Sequence, residues 1–85
     1  MKQLSTGTGH TIRVQFAATG SITIFYDDKQ IATAKTGFLG LVGANGMFQV
    51  NENGENITYE CSTRPAFGWD DHLTVRRNGI VIYTD

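Results

Sequence analysis

Apolar and polar residues alternate along much of the chain with a period of two, the signature of strands that bury one face. Thr11 to Phe16 sets Ile12, Val14 and Phe16 on one side and Arg13 and Gln15 on the other. Ser21 to Tyr26 sets Ile22, Ile24 and Tyr26 opposite Thr23 and Phe25, and the large outward Phe25 predicts contacts on both faces of that strand. Asp27 to Gln30 has the composition of a hairpin turn, with a short return strand over Ile31 to Ala34. Further on, Phe48 and Val50 share a face, and Ile57, Tyr59 and Cys61 point inward against Thr58 and Glu60.

Gly37 to Gly43 is the most apolar run and alternates poorly, which fits either a strand buried on both faces, the favoured reading, or an exposed apolar loop open to contact. Ala44-Asn45-Gly46 and Asn51-Glu52-Asn53-Gly54-Glu55 read as turns, the second a solvated hairpin turn. Asn78-Gly79 between two β-rich runs predicts a type I′ hairpin with Arg77 opposite Ile80. A regular ladder from there would place Val75 opposite Ile82, making Leu73, Val75 and Ile82 one apolar strip, with Arg76 and Tyr83 facing away. Seven to eight short strands of this kind specify an all-β fold, a small antiparallel β-sandwich or partly open barrel.

Ten glycines against one proline fit short strands joined by tight turns. At 85 residues the chain suffices for one core, so the expected organisation is a flexible lead over 1–10 and a single β domain over 11–85. No internal repeat is visible at the periods of solenoid proteins. A net charge of −1 gives no long-range field to attract a polyanion. The single cysteine excludes an intramolecular disulfide, and no run approaches the ~20 apolar residues of a membrane span or the core of a signal peptide. The expectation is a cytoplasmic protein with no membrane partner.

The strand-turn-strand Ile22 to Ala34, LVGANGMFQV (Leu41 to Val50), NITYECS (Asn56 to Ser62) and the ending HLTVRRNGIVI (His72 to Ile82) together resemble the Fas apoptotic inhibitory molecule β-sandwich family. The resemblance covers most of the chain from His10 onward and implies a non-enzymatic interaction domain. It assigns no functional residue.

Candidate chemistry is sparse. Asp70-Asp71-His72 holds metal-ligand types, yet neighbouring strand residues face opposite ways, so only Asp70 and His72 could converge, with His10 as a third ligand. A solvated strand entry is the better account, and no metal or cofactor is assigned. Cys61 with His10 or His72 suggests a thiol nucleophile, but its parity with Ile57 and Tyr59 makes it a small buried hydrophobe. Asn51 to Asn56 lacks the ligand order of an EF-hand loop, and Gly37-x-x-Gly40-x-x-Gly43 lacks the Lys-Ser/Thr ending of a phosphate loop. Arg64, Arg76 and Arg77 beside Phe67, Trp69 and Tyr83 could stack single-stranded nucleic acid, but Glu60, Asp70 and Asp71 cancel the needed charge.

The 62–72 connection holds the only proline and the only tryptophan, and its Arg64, Phe67, Trp69, Asp70 and His72 are the candidate binding residues. The opposing account has Phe67 and Trp69 plug one end of the sandwich. The leading functional reading is a non-enzymatic protein-binding module that associates with itself or another protein, since open edge strands and the apolar Phe38 to Val42 run favour strand pairing or face packing between copies. The alternative is a small-ligand or carbohydrate binder using the 62–72 loop, with Trp69 stacking on a sugar face and Asp70 and Asp71 accepting hydroxyls. An enzyme or a single-stranded nucleic-acid binder ranks behind both.

Overall fold

The computed structural model describes residues 2–17, 21–35, 43–63 and 72–85. Among the described residues, eight strands form two antiparallel four-stranded sheets, each a simple meander. The first holds β1 (Lys2–Ser5), β2 (Thr11–Phe16), β3 (Ile22–Tyr26) and β4 (Lys29–Ala34) in that order. The second holds β5 (Asn45–Glu52), β6 (Glu55–Thr63), β7 (Leu73–Arg77) and β8 (Ile80–Thr84). The expected all-β, two-sheet fold is therefore present.

The alternation does what it predicts. Ile12, Val14, Ile22 and Ile24 from one sheet meet Phe48, Ile57, Tyr59, Cys61, Leu73 and Val75 from the other in one buried cluster. Three hairpins turn through two residues with positive φ, at Asp27-Asp28, Asn53-Gly54 and Asn78-Gly79, the backbone that type I′ turns demand. Phe25 faces outward by strand parity, and the Arg13 guanidinium covers its ring at 4.4 Å from the ring centre, across the strand pair.

Several expectations need correction. Lys2–Ser5, expected within a flexible lead, is an edge strand that buries Leu4 opposite Ile12; one buried side chain in four residues is too little for alternation to show. Asn45-Gly46 is not a turn but the start of β5, paired with Ser62 and Cys61. Gly46 is there for packing, because a Cβ at that position would sit 2.8 Å from Ile24 Cδ1 and 3.4 Å from Ala34 Cβ. β6 likewise runs on through Ser62 and Thr63, with the Ala44 N–H donating to Thr63 Oγ1 at 2.9 Å. In the last hairpin Arg77 does pair with Ile80, but a bulge follows, so Val75 opposes Tyr83 and Tyr83 packs against the core. The expected strand over the apolar run at 37–42 lies outside the described residues.

The two sheets are equivalent, position by position. Leu4, Ile12, Ile22 and Ile24 occupy the places of Phe48, Tyr59, Leu73 and Val75. The β3–β4 ladder slips between Ile24 and Phe25, and the β7–β8 ladder slips at the matching Val75 and Arg76. Asp27 Oδ1 accepts from the Thr11 N–H at 3.0 Å, as Asn78 Oδ1 accepts from the Thr58 N–H at 3.0 Å. Where β4 lies beside β5, Ala34 approaches Gly46; at the opposite seam the equivalent residues, Asp85 and Lys2, form an ion pair.

Candidate functional site

Arg64, Phe67, Trp69 and Asp70 lie outside the described residues, as does Asp71, so the carbohydrate reading rests on residues without a described position. His72 is half-buried just before β7, and its Nδ1–H donates to the Asp85 carbonyl at 2.9 Å. His10 is at the other end of the sandwich, where its Nδ1–H donates to Asp27 Oδ2 at 2.7 Å and its ring stacks on Tyr26 at 5.1 Å. The two histidines are not brought together. Cys61 is buried in mid-strand, and burial, with the nearby Glu60 charge, pushes its thiol up to about 12, which keeps it protonated at neutral pH. Among the described residues no group of three His, Cys, Asp or Glu is placed to hold a metal ion.

The polar centre of the molecule is a residue that the sequence reading assigned to a solvated turn. Glu52, the last residue of β5, is 4% exposed. Its Oε2 accepts from the Tyr26 hydroxyl at 2.6 Å and from the Tyr59 hydroxyl at 2.6 Å. Its Oε1 accepts from Arg77 Nη2 at 3.0 Å and Thr8 Oγ1 at 3.0 Å. Arg77 Nε also donates to the Tyr59 hydroxyl at 3.3 Å, and the Tyr26, Phe48 and Tyr59 rings close the cluster on its apolar side.

Burial by itself would raise the Glu52 pKa, but hydrogen bonds from Tyr26, Tyr59, Arg77 and Thr8 outweigh it and hold the carboxyl at about 2. The same contacts act in reverse on the phenols, where burial and then the Glu52 carboxylate raise Tyr26 and Tyr59 above the ordinary tyrosine range. Both Glu52 oxygens thus accept two hydrogen bonds each from groups of the protein itself, which fills the acceptor capacity of the carboxylate. The arrangement is a clasp between sheets, because Thr8 and Tyr26 come from the first and Tyr59 and Arg77 from the second.

The outer faces of the sheets differ in the side chains they carry. In the second sheet Met47, Glu60, Arg76 and Val81 form one row across all four strands, with Arg76 Nη1 donating to Glu60 Oε1 at 3.1 Å in the middle. Met47 is 61% exposed and Val81 46%. The equivalent row of the first sheet is Gln3, Arg13, Phe25 and Gln30. Ile80, 70% exposed at the tip of the last hairpin, likewise stands where the first sheet has Lys29. At Met47, Val81 and Ile80 the second sheet is apolar where the first has Gln3, Gln30 and Lys29, whereas Phe25 of the first sheet stands where the second has Arg76 and Ile31 of β4 is itself 37% exposed. The sequence carries a trace of the second sheet's apolar positions, since β8 reads Ile80-Val81-Ile82-Tyr83-Thr84 with no charged residue to guard an edge strand.

Comparison with known proteins finds no matching family model, no similar curated protein and no similar solved structure.

Proposed function

We propose that this protein is a small protein-binding module, without a catalytic role, that associates with itself through the outer face of its second sheet. The observation that carries this reading is the exposure of Met47 and Val81 at positions that the first sheet fills with Gln3 and Gln30. Met47 and Val81 flank the Glu60–Arg76 ion pair on one face, an arrangement of apolar and charged groups that a second surface can close upon. An interaction domain is also the role that the family resemblance implies.

The test writes the first sheet's residues onto the second. In the double variant Met47→Gln, Val81→Gln every core contact is unchanged, so the far-UV spectrum and melting temperature should match those of the wild type. Size-exclusion elution at high loading should shift from a dimer for the wild type to a monomer for the variant. Identical elution of the two proteins as monomers would overturn the reading.

A further inference from the structure

We propose that the partner of this face is a second copy of the chain, packed face to face about a two-fold axis that runs parallel to the strands between β6 and β7. The inference rests on the self-association proposed above and supplies its geometry. A two-fold interface brings each residue of one copy against a fixed residue of the other, and the same pair recurs in reverse. Rotation about an axis parallel to the strands exchanges the outer strands with each other and the inner strands with each other. The row Met47, Glu60, Arg76, Val81 then lies on its own reverse, so that Met47 meets Val81 of the second copy and Glu60 meets Arg76.

Charge chooses this axis over the other one available to stacked sheets. An axis along the row would set Glu60 on Glu60 and Arg76 on Arg76, and like charges in direct opposition are unfavourable. Among the described residues the two adjacent rows oppose neither arrangement. The next row toward the open end of the sheet is Asn45, Ser62, Thr74 and Thr84, and the row toward the hairpin tips contains Gln49, Thr58 and Asn78, all without charge. In the proposed packing the ion pair of each copy is extended into a four-charge array, with an apolar contact on either side. A four-stranded face, with strands about 4.8 Å apart, is at the small end of interfaces that hold stable dimers, so the association depends on concentration.

Charge reversal tests the pairing by sedimentation velocity. Glu60→Arg alone and Arg76→Glu alone should each weaken dimerisation at least tenfold. An equimolar mixture of the two should recover dimer, and the axis itself is read by oxidative cross-linking: Met47→Cys mixed with Val81→Cys should give the mixed disulfide, whereas each variant cross-linking to itself alone would overturn the pairing. The double variant Glu60→Arg, Arg76→Glu should recover it within one kind of chain. Recovery in neither the mixture nor the double variant would overturn the pairing. So would wild-type dimerisation in both single variants, while the self-association reading would survive if Met47→Gln, Val81→Gln still abolished it. A monomeric wild type would overturn both. Should a single reversal fail to fold, the cross-link between positions 47 and 81, which leaves Glu60 and Arg76 in place, decides the question alone.

Discussion

Tyr26 and Arg77 occupy the same place in the two sheets, the last strand residue before a type I′ turn, and both donate to Glu52, at 2.6 and 3.0 Å. Equivalent positions in two equivalent meanders thus converge on one buried carboxylate. This joins the sheets by a polar contact at the hairpin end, while apolar side chains join them along the rest of their length.

Removing the Glu52 charge leaves Arg77 without its carboxylate and turns acceptors of strong hydrogen bonds into a mixed amide. Glu52→Gln should lower the unfolding free energy by about 3 kcal/mol, and Tyr26→Phe, which deletes one charge-assisted bond, by about 1.5 to 2. Urea denaturation checks both, and a loss under about 1 kcal/mol for Glu52→Gln would show that the clasp contributes nothing beyond shape.

The clasp also fixes the pH dependence. Glu52 and Asp85 both have folded-state pKa values of about 2, below the ordinary carboxyl values, Asp85 because Lys2, the Leu73 N–H and the Tyr83 hydroxyl outweigh its burial. A depressed carboxyl adds stability that is complete above its unfolded pKa and lost as pH falls toward the folded one. The melting temperature should therefore hold down to about pH 4.5 and drop steeply between there and about pH 2. Glu52→Gln should flatten that drop. At the alkaline end all three tyrosines have raised pKa values, Tyr83 through its bond to Asp85. Raised phenols contribute stability below pH 10 that is lost as pH rises above it, so absorbance titration should show less phenolate in the folded protein than in the unfolded chain at the pH where the latter is half ionised.

Asp28 holds a φ of 65° that favours glycine, and its counterpart in the other sheet is Gly79 at 83°. Asp28→Gly should raise stability by about 1 kcal/mol by relieving the left-handed backbone. The cost is small, because the Asp28 ion pair to Arg13 is 3.5 Å long with an aspartate 84% exposed. A lower denaturation midpoint for this variant would contradict the assignment of strain.

At the seam between β4 and β5, Gly46→Ala should cost about 1 to 3 kcal/mol through the clash with Ile24 Cδ1. Ile24→Val removes that atom and should recover part of the loss, so a double-mutant cycle should show coupling of about 0.5 kcal/mol or more, whereas strict additivity would place the strain elsewhere.

The strands were legible in the sequence because burial on one face writes itself as alternation, as at Ile12-Arg13-Val14 and Ile57-Thr58-Tyr59. Glu52 left a fainter signal. It shares the parity of Phe48 and Val50, and two inward tyrosines need an acceptor, but polar neighbours at Asn51, Asn53 and Gly54 disguised it as solvated. The bulge in β8 left none, since Ile80 to Tyr83 are all good strand formers and no glycine marks the extra residue. The equivalence of the two sheets was hidden because it drifts, from 44 positions between Leu4 and Phe48 to 47 between Ile12 and Tyr59 and 51 between Ile22 and Leu73. The outer row could not be read before the registers of three ladders were known, and the binding residues expected at Arg64, Phe67, Trp69 and Asp70 fall outside the described residues.

The most direct measurement of the central claim is sedimentation equilibrium of the wild-type chain from about 10 to about 1,000 μM, the range in which a small interface converts monomer to dimer. The account predicts a mass that rises from 9.3 kDa toward twice that value, with a transition that Met47→Gln, Val81→Gln abolishes. A mass fixed at 9.3 kDa across the whole range would contradict it.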